Sequence, residues 1–412
     1  MDRSVAARRW PRRRKEAGNH MSTSFTNRRF TGRRLVPALG LLLAFTLTIA
    51  SRSAGAQATA SAAGAANSYV VNDTHFHLTN YIQEGTDIHD FLTIMGDKVG
   101  RAVLFGLPLQ QMWSYANSGN FAPWYYLQTD APLYYYSFTD AYIAMAYRSL
   151  TPAQQARLDP MITGFNPADM YAVDHIKRVL LTFPGVFSGI GEFSIHKEFV
   201  SSKVAGEVAS LTNPALDRIL DFAAEAGLVV ILHNDINMPF PKPGQEPYIV
   251  TQMRDLLLRH PDTTLIWAHV GVGRIVRPLA DQMGIVERLL ASPQLKNVYI
   301  DISWDEVAKY VVATPESLAR SAAVINRYPD RFLFGTDEVA PKDQAGYLKI
   351  YDMYAPLFAK LTPEASEKLR KGNYERLFDA ARVKVRAWEK ANANAPRKET
   401  PPSPISGPGV GY

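Results

Sequence analysis

An α/β fold, a (β/α)8 TIM barrel, is predicted by three observations. Short β-branched apolar runs recur eight times along the chain, and helical patterns follow most of them. Polar or charged residues close several of those runs, as expected where strands end at a shared site. A doubly wound open sheet is the alternative for such alternation, but no Gly-x-Gly-x-x-Gly follows an early strand.

The runs place strands at 69–77, 101–107, 161–165, 187–193, 228–234, 264–269, 297–303 and 331–337. Apolar positions at helical spacing place helices at 169–183, 213–226, 248–259, 277–290, 315–327 and 344–358. Asn213 and Thr314 are good N-caps and are followed by Pro214 and Pro315, residues suited to a first helical turn. Gly227 ends its helix in the position where glycine best adopts a left-handed backbone. Between the second and third strands lies an insertion, 110–157. Its stretch 110–147 holds twelve aromatics in 38 positions, about three times the chain average of 11%. It reads either as a cap with its own aromatic core or as a lid that stacks on an aromatic or sugar-like substrate.

Composition excludes other classes. With 47% hydrophobic and 20% charged residues in 412, the chain is neither disordered nor a coiled coil, and it is long enough for a large core. The net charge of +6 invites a nucleic-acid partner. However, residues 1–58 carry 12 Lys/Arg against 2 Asp/Glu; taken from totals of 45 and 39, these leave 33 basic and 37 acidic residues in the body. A mildly acidic body makes neither nucleic acid nor an anionic membrane an expected partner.

Residues 1–58 have the layout of an export signal. Arg28-Arg29 and Arg33-Arg34 precede an apolar run, 35–50, and Ala56-Gln57-Ala58 supplies a small-x-small cleavage site. The run is about sixteen residues, shorter than the roughly 20 of a spanning helix, so cleavage is preferred to an uncleaved anchor. The expected location is the periplasm or the exterior, by a Sec or twin-arginine route, with no stable membrane association after signal removal. Residues 59–68 read as a flexible lead-in, 69–391 as the folded domain and 392–412, rich in Pro and Gly, as a disordered tail. The chain has no cysteine, so any metal must be held by His, Asp and Glu.

Candidate site residues follow from side-chain alternation. In Asp73-Thr-His75-Phe-His77 the two histidines share one face of the first strand and point into the barrel mouth. Two inward imidazoles at a strand end make a natural metal-ligand pair. Glu192 ends the fourth strand, His233 the fifth, His269 the sixth and Asp337 the eighth. A charged group at a buried strand end is costly unless paired or metal-bound, and five strands ending so point to one polar centre. A divalent ion there would make hydroxide available at neutral pH, and a carboxylate beside it could shuttle the proton. Candidate substrate contacts are Trp113, Tyr115, Arg148, His196, Lys197, Trp304 and Lys342; the basic ones would suit a carboxylate-bearing substrate or be ordinary surface charges.

On these residues the chain resembles the amidohydrolase superfamily, in its amidohydrolase-related (amidohydrolase 2) branch. The matching pieces are Asp73-Thr-His75-Phe-His77, His233, His269, Gly335-Thr-Asp337 and the late segment Gly372-Asn-Tyr-Glu-Arg-Leu-Phe378, and the resemblance spans about 69–385. It implies a distorted metal-dependent barrel in which His75, His77, His233, His269 and Asp337 bind one or two divalent ions, zinc being the expected ion. His269 and Asp337 would also be catalytic, Asp337 taking a proton from the attacking water. Many binuclear members have a carboxylated lysine on the fourth strand. Glu192 stands there instead, either bridging two metals or serving a structural or substrate role beside one. Three functions stay open: an exported hydrolase of a small-molecule amide, lactone or ester; a zinc-dependent non-oxidative decarboxylase or hydratase; and a non-catalytic binding barrel. Homo-oligomerisation is left open as well.

Overall fold

The computed structural model describes residues 69–395 apart from 241 and 243; the segments read as an export signal and a lead-in, and the chain beyond 395, lie outside the described residues. The eight predicted runs form one parallel sheet in chain order: β1 (Val71–Asp73), β2 (Val99–Leu104), β3 (Leu158–Ile162), β4 (Gly189–His196), β5 (Val229–Asn234), β6 (Leu265–Trp267), β7 (Val298–Asp301) and β8 (Phe332–Leu333). A second parallel pair, Phe76–His77 with Glu338–Val339, continues the first and last strands. Thr74 N–H donates to Phe334 O at 3.0 Å and Asp337 N–H to His75 O at 2.7 Å. These bonds join the eighth strand to the first and close the barrel.

That seam is irregular where an unbroken run was expected, and Asp73 is the reason. Its carboxylate accepts the N–H groups of His75 and Thr336, each at 2.9 Å, and the hydroxyls of Thr336 at 2.6 Å and Tyr347 at 2.8 Å. A side chain thus satisfies backbone donors that a ladder would otherwise use, and both strands break there. The third strand starts earlier than expected, because Asp159 and Pro160 hide its beginning in the sequence pattern. Asp159 is buried but paired, with Arg101 at 2.8 Å, Arg382 at 2.6 Å and the Tyr374 hydroxyl at 2.7 Å.

Each strand is followed by a helix: α1 (Ile88–Met95), α2 (Phe138–Arg148), α3 (Ala172–Thr182), α4 (Pro214–Ala226), α5 (Tyr248–Arg259), α6 (Gln282–Leu290), α7 (Pro315–Arg327) and α8 (Gln344–Met353). The first two were not expected. α1 is only eight residues long, and Asp87 caps it by accepting the His89 N–H at 2.8 Å. α2 was hidden inside the aromatic stretch, so the second barrel helix belongs to what read as an insertion. The remainder of that stretch carries a small hairpin, Leu109–Gln111 with Leu133–Tyr135. Beneath it Tyr81, Leu107, Leu109, Tyr126, Leu133 and Val200 form a separate apolar cluster.

The barrel interior is filled by Val103, Met161, Val229, Ile231, Ile266 and Leu333, which pack on Tyr374, Leu377, Phe378 and Ala381 of the long helix α9 (Asn373–Asn392). This helix seals the end where the strands begin. Asn373 donates to Pro329 O and Phe332 O, each at 2.8 Å, and Arg376 donates to Asp330 O at 2.9 Å. The Asn-x-x-Arg-Leu-Phe segment is therefore a plug that caps the entry to β8, leaving the opposite end for chemistry. No helix among the described residues is long and apolar enough to cross a membrane.

Candidate metal centre

At the carboxyl ends of the strands, His75, His77, Glu192, His233 and His269 are all buried and converge with Asp337 on one point. Glu192 lies at the middle. Its Oε2 is 3.6 Å from His75 Nε2 and 3.4 Å from His77 Nε2. Its Oε1 is 3.4 Å from His269 Nε2 and makes a close contact with His233 Nδ1. Asp337 Oδ1 lies 3.3 Å from His75 Nε2 and 3.1 Å from His77 Nε2, and its Oδ2 lies 4.0 Å from His269 Nε2.

The outer nitrogens of three imidazoles are anchored. His75 Nδ1 bonds Asp301 Oδ2 at 2.7 Å, His233 Nε2 bonds Asp235 Oδ1 at 2.8 Å, and His269 Nδ1 bonds Ser303 Oγ at 2.9 Å. A carboxylate or hydroxyl that takes the outer N–H leaves a lone pair on the inner nitrogen, the tautomer a metal ligand needs. His75 Nε2, buried and inward, has no hydrogen-bond partner of its own. The donors suit a divalent ion of zinc type, which takes imidazole nitrogen and carboxylate oxygen. They fall into two overlapping sets: His75, His77, Glu192 and Asp337; and Glu192, His233 and His269, in each of which the ligand atoms lie within 4.8 Å of one another. A third grouping, of His75 and His269 with Asp301, is better explained by the Asp301–His75 hydrogen bond, since Asp301 meets the outer nitrogen.

Charge follows geometry. Burial alone would neutralise Glu192, but Lys197 and His233 outweigh it and hold its carboxyl well below the ordinary range. Asp337 is likewise held low against burial by His269 and His75. Burial pulls His75 down, yet the Asp301 carboxylate raises it well above its usual value. The site thus keeps its carboxylates ionised in a dry place, where cations must balance them.

The backbone is bent to aim these groups. His269 and Asp337 have φ of 56° and 55°, and Trp304 has φ of 85°, in the left-handed region that residues with side chains seldom adopt. Gly335 is required beside them: a Cβ there would sit 2.7 Å from His75 Cβ and 2.9 Å from Ser303 Cβ. Gly191, at φ 123°, lets Glu192 enter, since its Cβ would fall 2.3 Å from Ile231 O.

All six predicted metal residues meet here, but the predicted substrate contacts divide. The Trp304 ring stands 5.1 Å from that of His269 and 6.4 Å from that of His233. His196 ends β4 near Asp235, with burial lowering its imidazole's proton affinity. Lys197 Nζ lies 3.7 Å from Glu192 Oε1. Trp113 and Tyr115 are 56% and 76% exposed in the hairpin segment, and Lys342 is exposed on the rim. Arg148 is misplaced by the sequence reading: it rests over the Phe183 ring and donates to Pro184 O at 3.4 Å, in the segment leading into β4, at the opposite end from the site. Sequence reasoning missed Asp301, Asp235, Tyr81 and Arg274. Asp301 carried a usable signal, a carboxylate closing the apolar seventh strand as others close theirs.

A closed parallel barrel with a histidine–carboxylate centre at its carboxyl-terminal mouth has the fold and donor set of a metal-dependent enzyme. A family model described as Amidohydrolase matches residues 73–380, and the chain belongs to that family. A search of curated proteins found no match. Among solved structures it is similar to a Burkholderia multivorans amidohydrolase with bound zinc, at 11% identity and TM-score 0.48, covering 75% of this chain and 99% of that one. It is also similar to a Pseudomonas putida putative 2-pyrone-4,6-dicarboxylic acid hydrolase (15%, TM-score 0.45, 76% and 98%). A Campylobacter jejuni dihydroorotase is a further match (11%, TM-score 0.42, 75% and 83%).

Proposed function

We propose that the protein is an exported hydrolase that uses divalent metal, zinc in the first instance, to cleave a small-molecule amide, lactone or ester. The observation that carries the reading is Glu192, which turns one oxygen to His75 and His77 and the other to His233 and His269. Two ions could thus be held, one by His75 and His77 and the other by His233 and His269, with Glu192 available to both, and this favours hydrolysis over the lyase reading, which expects Glu192 to be unliganded. Bound divalent ions would supply Lewis acidity that brings the pKa of water from about 16 towards 7.

The chain's own groups do the rest. Asp337 reaches across both histidine sets, so it is placed to take a proton from the attacking water and return it to the leaving group. Asp301, Asp235 and Ser303 hold three imidazoles in the productive tautomer. The tyrosines Tyr81, Tyr125 and Tyr126 pack together at the mouth, their ring centroids 4.6–5.8 Å apart, and keep bulk water from the carboxylates. Export rests on the sequence of residues 1–58.

The test is Asp337→Asn in zinc-loaded protein screened against lactones, esters and amides. Wild type should turn over at least one class. With zinc supplied in excess, to offset the weakened metal donor, the variant should keep its zinc content and its circular dichroism while losing about 100-fold to 10,000-fold in kcat, the usual range for a general acid–base. Undiminished turnover by the variant would remove Asp337 from the reaction.

A further inference from the structure

A chain of polar contacts runs from the metal ligands to the segment after β6. It starts at His233, whose Nε2 bonds Asp235 Oδ1 at 2.8 Å. The other oxygen of Asp235 accepts the N–H of Glu198 at 3.3 Å. The Glu198 carboxylate in turn accepts the N–H groups of Ile275 and Val276, the latter at 2.9 Å. Gly273 meets the chain a second time: a Cβ there would stand 2.5 Å from Glu198 Oε1 and 2.7 Å from Asp235 Oδ2. The segment therefore presses on both carboxylates at once.

Glu198 leaves a tight turn after β4, in which the Lys197 N–H donates to Ser201 Oγ at 2.9 Å and the Ser201 N–H to Lys197 O at 3.0 Å. The segment it meets, 272–280, has no helix or strand of its own. Buried side chains pin that segment near its ends: Asn237 accepts the Gly273 N–H at 3.0 Å and donates to Arg277 O at 3.2 Å, and Gln282 accepts the Leu279 N–H at 3.2 Å. Between Gly273 and Arg277 the clamp is Glu198. Two clefts border the segment, one of about 700 Å³ shared with Met238 and Ile285 and one of about 440 Å³ shared with Glu306 and Tyr310. Backbone bordered by open space is not fixed by packing, so the carboxylate decides where it lies.

What the segment carries is Arg274. Its guanidinium lies 4.9 Å from the centre of the Trp304 ring and 6.0 Å from that of Tyr125; it also bonds the Tyr125 hydroxyl and pairs with Glu306 at 3.7 Å. Trp304 packs on His269, and Tyr125 belongs to the aromatic wall of the mouth. Arg274 thus ties together the segments that follow β2, β6 and β7.

We infer that Glu198 is a positioning residue, which couples the metal ligand His233 to closure of segment 272–280 at the mouth. With His233 held by an ion, its ring, Asp235 and the Glu198 turn are fixed together. The fixed carboxylate then holds Ile275 and Val276, and Arg274 stays latched on Tyr125. Such coupling is reciprocal: whatever loosens the segment must also weaken the hold on the ion. The inference rests on His233 as a metal ligand and not on which bond the enzyme breaks.

The test is amide hydrogen exchange of the full chain with and without zinc, read by mass spectrometry on peptides covering 272–280. Zinc should slow exchange there by about tenfold or more, while peptides of α9 at the far end of the barrel change by less than about twofold. Glu198→Ala removes the clamp, and Gly273→Ala wedges the segment off both carboxylates without deleting a polar group. Each should abolish the zinc-dependent protection and speed zinc dissociation, timed by transfer to a chromogenic chelator, by about tenfold. A clamp with a structural role alone would raise exchange equally with and without zinc and leave zinc dissociation unchanged. That result, or a wild-type segment indifferent to zinc, would overturn the inference. If Glu198→Ala fails to fold, the wild-type comparison and Gly273→Ala decide it. Zinc bound without coupling leaves the metal reading intact, whereas a chain that takes up no zinc overturns both.

Discussion

Replacing Glu192 with glutamine isolates the group on which the two-ion reading depends. The side chain is 2% exposed, and its oxygens lie 3.4–3.6 Å from the inner nitrogens of His75, His77 and His269. An amide keeps one oxygen and turns an N–H2 donor toward the other histidine pair, so whichever way it faces, one ion loses its site. The remaining ion loses a full charge. Two unit charges about 4 Å apart attract by about 4 kcal/mol at an effective dielectric constant of about 20, roughly three decades of affinity. A divalent ion doubles that attraction, and relief from burying the carboxylate takes part of it back, so binding about a thousandfold weaker is expected. Metal content after exhaustive dialysis, with a zinc-buffer titration for affinity, reads both effects. Wild type should hold about two zinc ions per chain and the variant about one or fewer. A variant that keeps both ions at wild-type affinity would refute the bridge and return Glu192 to a structural or substrate role.

Two further outcomes test the supports around the site and a titrating group away from it. Asp301→Asn removes the charged acceptor from His75 Nδ1 but touches no inner nitrogen; zinc affinity should fall by about 10-fold to 100-fold, and unchanged affinity would show that Asp301 does not tune the ligand. Asp140 is fully buried, accepts the N–H groups of Thr163 and Gly164 at 2.8 and 2.9 Å, and is pushed by burial from 3.8 up to about 7. Because its folded value is raised, its contribution to stability is complete below the unfolded value and is lost as pH climbs through about 7. Thermal unfolding of wild type and Asp140→Asn between about pH 4 and about pH 8 should show the wild-type advantage shrinking with rising pH; a constant difference would refute the shift.

What could be read in advance was whatever depends on short-range periodicity. A histidine closing the wholly apolar run 228–232, or 265–268, has one place to go in a parallel barrel, and His233 and His269 are there. The same logic applied to Tyr299-Ile-Asp301 would have found Asp301. Other features had no local signal. Arg274 and Tyr125 are 149 residues apart and meet only because the hairpin segment and the loop after β6 are folded over the same mouth. α2 was masked by aromatics whose exposed side, with Tyr142 and Met145, blurs the apolar stripe. Arg148 looked like a site residue because the whole aromatic stretch was taken to lie over the mouth, whereas α2 runs down the outside of the barrel and carries it to the other end.

The irregular seam between the first and last strands is where fold and chemistry are the same feature. Regular pairing from 69–77 to 331–337 would have kept His75, His77 and Asp337 in strand geometry. Asp73 instead absorbs the backbone donors of His75 and Thr336, which frees the chain to turn at both strands. Asp337 then enters the left-handed region with its N–H on His75 O, and its carboxylate comes to face both imidazoles of the opposite strand. His77 is the only one of the four inward histidines whose outer nitrogen has no hydrogen-bond partner. It is positioned by packing, edge-on to Phe105 at 4.6 Å, and by Asp337 itself. The ligand set on this side of the site is therefore held by barrel closure more than by its own hydrogen bonds. Distortion of the barrel at this one joint is what brings the two histidines and the carboxylate to a common point.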